Sequence, residues 1–159
     1  DGLVAPLGAF VLAAALAPSL GLSPPALGAA VAAWVKAINT MDSMLGYRSK
    51  RVGTPAARLD DGVMWFPARA SALTLAVAFR DARSLTRARS WLHRVPSPNS
   101  GWPMGVAAAA LGVRLEKPGV YVLNADAPLP TVASAHHGVR GVAVAGVLSY
   151  ALAGVVAWF

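Results

Sequence analysis

Two stretches of this chain carry no charge at all: residues 2 to 35, and the 19 residues from Gly141 to Phe159. A helix crossing the hydrocarbon core of a bilayer needs about 20 mainly apolar residues at about 1.5 Å rise each, so the second stretch fits a span closely. Trp158 and Phe159 would then sit at an interface. The first stretch is longer but broken by Pro18, Gly21, Pro24 and Pro25. Proline removes an amide donor and disfavours helix in the residue before it, which predicts one span near residues 3 to 20, a turn, and a second helix from about Pro25. A cleaved signal peptide is the competing account, but the chain opens on Asp1 with no basic segment ahead of the apolar run.

Composition agrees with a lipid solvent. Of 159 residues, 56% are hydrophobic and 13% charged, about half of the roughly 25% charge usual in soluble domains. The expected fold is all-α, a multi-pass integral membrane helical bundle with short re-entrant or interfacial helices, built as a single domain over residues 1–159. The absence of cysteine removes disulfides, thiolate catalysis and cysteine metal sites together.

The net charge of +7 could suggest nucleic acid, for which a basic stripe is the usual footprint. Lys and Arg also accumulate in the cytoplasmic loops of membrane proteins. The missing aromatic stacking platforms favour the second account, so no nucleic-acid partner is expected. Five basic residues lie within residues 36 to 61 (Lys36, Arg48, Lys50, Arg51, Arg58) and five within 80 to 94 (Arg80, Arg83, Arg87, Arg89, Arg94). Between them the longest uncharged run is ASALTLAVAF, residues 70 to 79, and ten residues are too few to cross straight. Both basic zones are therefore expected on one cytoplasmic face.

Three polar segments could carry chemistry. KAINTMDSMLGY, residues 36 to 47, reads as a helix with Trp34, Ile38, Met41 and Leu45 on an apolar stripe. Asn39, Asp42 and Ser43 fall at i, i+3 and i+4 on another face, with Gly46 next. An amide, a carboxylate and a hydroxyl beside a glycine suit a ligand or Mg²⁺ contact. A polar helix end closed by Gly46 as C-cap accounts for the same residues.

ARLDDGVMWFPAR, residues 57 to 69, sets Asp60 and Asp61 between Arg58 and Arg69. Adjacent carboxylates can hold a divalent cation that bridges phosphate oxygens, and arginine offers a planar fork for phosphate or carboxylate. A structural salt-bridge network is the other reading. Arg69 borders an apolar run, where charges are costly and usually paired or functional, unless it snorkels to the headgroups.

VPSPNSGWPMG, residues 95 to 105, packs prolines and glycines around Ser97, Asn99 and Ser100, which predicts a rigid, non-helical turn. VAAAALGVRL then reads as a small helix running to Arg114. No GxxxxGK phosphate loop or GxGxxG turn is present. His136 and His137 are adjacent rather than four apart, which argues against a zinc site, and His93 reads as a solvated loop residue.

With those residues in view, the chain resembles the CobD/CbiB family. NTMDSMLGYR is similar to that family's NTLDSMVGY(K/R) motif, ARLDDGVMWFPAR to ARLDDxxNxxPAR, PSPNSGWPMGVAAAALGVRL to HPSPNxGWPEAxxAGALGVRL, and DGLVAPLGA to DGVVAPLFYA. The resemblance implies an all-helical, multi-pass protein of the cell membrane. It implies ATP-dependent condensation of adenosylcobyric acid with 1-amino-2-propanol or its O-phosphate, giving adenosylcobinamide or its phosphate. ATP and Mg²⁺ enter as co-substrate and ion, with no tightly bound cofactor expected. The implied partners are the corrinoid, aminopropanol or its phosphate, the lipid bilayer and other cobalamin-biosynthesis membrane proteins.

On this resemblance Asp42, Asp60 and Asp61 are the expected Mg²⁺ ligands. Arg58 and Arg69 would contact phosphate or propionate, while Asn39, Ser43, Ser97, Asn99 and Ser100 would bind substrate. Three positions depart from the pattern: the family usually has His at Val95, Glu at Met104 and an acid at Lys50. Those departures motivate an alternative, a non-enzymatic membrane protein of the same superfamily resembling AmpE, with a signalling or interaction role. Family members are roughly twice this length, so the chain reads as an N-terminally truncated fragment.

Overall fold

The computed structural model describes residues 2–46 and 53–158. Arg48, Lys50 and Arg51 of the first basic zone, the Lys50 departure, Tyr47 of the first polar segment, and Asp1 and Phe159 lie outside the described residues. Among the described residues the chain forms α1 (Val4–Leu16), a 3-10 turn (Ala17–Leu20), α2 (Pro24–Leu45), α3 (Gly53–Val63), α4 (Trp65–Ala78) and α5 (Arg83–Arg89). A second 3-10 turn (Leu92–Arg94), α6 (Gly101–Leu111), β1 (Leu115–Lys117), β2 (Tyr121–Leu123) and α7 (Val132–Trp158) follow.

By its internal contacts the chain divides into two compact units, one of residues 1–67 with 149–159, the other of residues 68–148. In the first, α1 and α2 form a helical hairpin. Gly21 turns the chain with a φ of +67°, a conformation glycine adopts without strain, and Pro24 and Pro25 open α2 at its first helical positions, where their missing amides cost nothing. The close approach is made at Gly28, where a Cβ would lie 2.9 Å from the Phe10 ring. Ala5, Val35 and Met64 form the buried cluster, with Ala9 and Val63 packed on it.

The apolar stripe read on α2 falls within the helix but is mostly uncovered. Ile38 is buried, but Trp34, Met41 and Leu45 are exposed; the buried line runs through Gly28, Val35 and Ile38. Helical periodicity identifies faces without saying which one the neighbouring helices cover, and the face that turns inward leads at its far end to Asn39 and Asp42, both half-buried.

In the second unit, Ala72, Leu75, Ala76, Ala88, Val106 and Ala145 form one core cluster. A Cβ at Gly105 would fall 2.9 Å from the Ala88 Cβ, so α5 and α6 touch through small residues. A second cluster joins Val95, Ala108 and Leu123, with Trp91, Met104, Leu115 and Tyr121 packed on it.

Three expectations change here. The fold is mostly helical, but it is not all-α. β1 and β2 pair antiparallel with Leu115 opposite Leu123 and Lys117 opposite Tyr121. Lys117-Pro118-Gly119-Val120 closes the hairpin: the Val120 amide donates to the Lys117 carbonyl at 2.9 Å, and Gly119 has a φ of +71°. Proline followed by a left-handed glycine is the signature of a type II turn.

The helix expected to reach Arg114 stops at Leu111. Gly112 takes a φ of +61°, and the Val113 amide donates to the Ala108 carbonyl at 3.0 Å, a Schellman ending. The segment 95–105, expected as a non-helical turn throughout, becomes helical at Gly101, because Pro103 falls in the first turn of α6, where a missing amide is tolerated.

One helix among the described residues, α7, is long and apolar enough to cross a membrane by length and composition: 27 residues, with a mean hydropathy of 1.9 over its most apolar 18-residue stretch. It begins nine residues before the uncharged stretch and includes His136, His137 and Arg140 in its first turns. Val139, Val142, Val147, Leu152 and Val155 are exposed along it. α1 with its 3-10 turn is apolar but 17 residues long. α4, which contains all but the last residue of the uncharged run 70–79, has 14 residues, short of a span as expected.

Candidate functional site

The candidate residues read from the sequence gather as two clusters, one in each unit. In the first unit, Asp60 faces inward from α3 and is 8% exposed. Asn39 on α2 donates from Nδ2 to Asp60 Oδ1 at 3.3 Å. Burial pushes the Asp60 carboxyl above the usual range; the Asn39 hydrogen bond pulls the other way, and the negative charges of Asp42 and Asp61 add to the rise.

Asp42 sits over Gly46, where a Cβ would collide with its carboxylate and with the carbonyl of the last helical turn. Gly46 also closes α2, its amide donating to the Asp42 carbonyl at 2.7 Å. The structure thus bears out the helix-end reading of this glycine, and its crowding comes from Asp42 of its own helix. Ser43 is exposed and donates from Oγ to the Asn39 carbonyl at 2.9 Å, within its own helix. Arg58 and Asp61 line a cleft of about 370 Å³ with Thr54 and Ala57.

Among the described residues no group of three or more His, Asp or Glu side chains is arranged to hold a metal ion unaided. Mg²⁺ is usually held through one or two carboxylates, with waters and substrate phosphates completing its shell. A buried, raised carboxyl beside two further acids, next to a cleft bearing an arginine, fits that mode of binding.

In the second unit, Arg69 near the start of α4 donates from Nη1 to Asn99 Oδ1 at 2.8 Å. Asn99 is 2% exposed, and its backbone amide donates to Ser97 Oγ at 3.2 Å. Arg69 therefore turns into the protein instead of snorkelling outward. Ser100 precedes the first residue of α6, and its carbonyl accepts from the Met104 amide at 3.4 Å.

The residue that sequence reasoning missed is Trp102. The Arg69 guanidinium carbon lies 5.5 Å from the centre of its ring, a cation–π geometry, and its indole Nε1 is buried without a hydrogen-bond partner. A tryptophan three residues after Asn99 in a Pro/Gly-rich turn was the available signal. The arrangement orients one guanidinium by an amide on one side and an aromatic face on the other, which suits recognition of a planar anion.

Fold and site together define a mostly helical protein with a membrane-length helix, a buried acidic centre and a buttressed arginine. The chain matches the family model described as CobD/Cbib protein over residues 1–149, and it belongs to that family. It is 44% identical over 128 residues to "Probable cobalamin biosynthesis protein CobD" of Methanothrix thermoacetophila, covering 77% of this chain and 38% of that protein. To the cobalamin biosynthesis protein CobD of Desulfotalea psychrophila it is 41% identical over 133 residues, 78% and 40% of the two chains. To that of Rhodobacter capsulatus it is 42% identical over 125 residues, 65% and 37%. The chain thus spans about two fifths of the length of these curated relatives. No solved structure matches it.

Proposed function

We propose that this chain contributes to cobalamin biosynthesis as part of a membrane amide ligase. The reaction is ATP-dependent condensation of adenosylcobyric acid with 1-amino-2-propanol or its O-phosphate, giving adenosylcobinamide or its phosphate. The observation that carries the reading is Asp60, buried, raised in pKa and flanked by Asp42 and Asp61, within a chain of the CobD/CbiB family.

A carboxylate and an amine do not condense readily near neutral pH, so the acid must be activated and the phosphate charge neutralised. Mg²⁺ bound to ATP would supply that neutralisation. Asp60 and Asp61, with Asp42 nearby, would hold the cation; Asn39 orients the Asp60 carboxylate. Arg58, in the cleft with Asp61, would take phosphate oxygens. Arg69, held by Asn99 and Trp102, would take the corrinoid propionate or a phosphate, and Ser43, Ser97 and Ser100 would add hydroxyl contacts. We place the chain in the cell membrane as a multi-pass protein with its basic zones cytoplasmic, α7 being one of the spans.

The full-length protein carrying this chain, purified and supplied with adenosylcobyric acid, aminopropanol or its phosphate, and Mg-ATP, should form the amide, and Asp61→Ala should abolish product. No product from the wild-type protein, or undiminished activity in Asp61→Ala, overturns the reading.

A second reading, a non-enzymatic AmpE-like protein, is favoured by one observation: Val95 and Met104, where the resemblance leads one to expect His and Glu, belong to the same apolar cluster. Failure of a stably expressed full-length protein to complement a strain lacking cobinamide synthesis would select it.

A further inference from the structure

The second unit contains an arginine-lined cleft that the proposed ligation does not use. α4 ends in a Schellman-type turn, with the Asp81 amide donating to the Ala76 carbonyl and the Arg80 amide to the Val77 carbonyl, each at 3.0 Å. Arg80 thereby takes a φ of 54°, the left-handed conformation in which glycine is the default and a Cβ is strained. An arginine at this position forgoes stability that glycine would provide, which points to a use for its charge.

Immediately after it lies a cleft of about 610 Å³, lined by Asp81, Arg83, Thr86 and Arg87. Arg83 and Arg87 are one helical turn apart on α5 and both exposed, so their side chains can share a ligand. Thr86 adds a hydroxyl, and Asp81 accepts from Arg87 and steadies it. Three arginines against one aspartate leave a net positive site, and guanidinium forks with a hydroxyl are suited to phosphate oxygens.

The turns of α4 that lead into this cleft expose Leu73 and Val77, one helical turn apart, at 55% and 63%. Apolar surface and phosphate-binding groups therefore follow one another along the chain. A soluble phosphate would engage the cations and leave Leu73 and Val77 unexplained. A phospholipid engages both, its headgroup with the arginines and its acyl chains with the apolar pair.

We propose that the cleft lined by Arg83, Thr86 and Arg87, together with Arg80, is a binding site for the headgroup of an anionic phospholipid. The site stands on geometry and charge alone and is independent of the ligase reading.

The test is native mass spectrometry of the full-length protein in detergent, titrated with phosphatidylglycerol and with phosphatidylcholine. Phosphatidylglycerol should be retained in preference, and each arginine removed should weaken retention by about five-fold, so the Arg83→Gln/Arg87→Gln double variant should lose about 25-fold. If the double variant does not fold, Arg83→Gln alone leaves the Asp81–Arg87 contact intact and should lose about five-fold. Arg80→Gly should raise the Tm and at the same time weaken phosphatidylglycerol retention, a pairing that a purely structural arginine would not produce. Retention unchanged in folded arginine variants overturns the proposal. So does displacement of phosphatidylglycerol by inorganic phosphate at matching concentration, which would make the ligand a soluble phosphate.

Discussion

Asp60 is the residue whose environment says most about what it does. Its folded pKa lies above the unfolded value of about 3.9, so at a pH between the two the folded protein holds a proton there that the unfolded chain has released. The stability this provides is complete below about pH 3.9 and is lost as pH rises through the folded value. Asp60→Asn should therefore leave metal-free stability unchanged at about pH 4 and raise it at about pH 7.5, while removing the gain in Tm that Mg²⁺ gives the wild-type protein at the higher pH. Melting curves with and without chelator, at both pH values, check both halves. The paired aspartates were legible in the sequence. That Asp60 would be the buried one, and that Asn39 from 21 positions earlier would hold it, depended on how α2 and α3 pack. Trp102 was missed for a similar reason: its sequence neighbours are prolines and glycines, and its partner Arg69 lies 33 positions away on another helix.

At the scale of elements, two turns are written in residue types. Pro118-Gly119 between LEK and YVL states a type II hairpin in residue types alone, and Gly112 states the end of α6. Contacts between elements were not legible, and two of them make predictions. Gly105→Val would put side-chain carbons into Ala88, whose Cβ and Cα lie 2.9 and 3.2 Å from a Cβ at that position. Forcing α5 from α6 should cost about 1–3 kcal/mol, seen as a lowered Tm in detergent.

Val95 and Met104 share the cluster of Ala108 and Leu123, so the two departures from the family pattern form one apolar group. Val95→His buries a polar ring there, at a cost of about 1–3 kcal/mol. Paired with Met104→Glu, the loss should be smaller than the sum of the two single losses, because the imidazole and carboxylate can satisfy one another. A double-mutant cycle reads that coupling directly.

For the molecule as a whole, the solvent is the governing question. α7 is 27 residues long, with exposed valine and leucine along its length, and an apolar helix left uncovered in water would be an aggregation hazard. In a bilayer the same surface is in its own medium. Val147→Arg places a charge near the middle of α7 on an exposed position, at an insertion cost of about 2.5–3.5 kcal/mol. The fraction of the full-length protein that resists extraction by alkaline carbonate should fall in this variant and stay unchanged in Val132→Arg, at the helix end.

The sequence by itself determined what depends on composition and local chemistry. Uncharged length dictates a lipid-compatible helix, proline and glycine set where helices begin and end, and four ordered motifs carried the family resemblance that the family match then bore out. Tertiary structure alone decided which face of α2 turns inward, which aspartate loses its water, and which aromatic ring lies against Arg69. These are properties of pairs of residues far apart in the chain, and burial and electrostatics act through space, where one-dimensional spacing carries no distance.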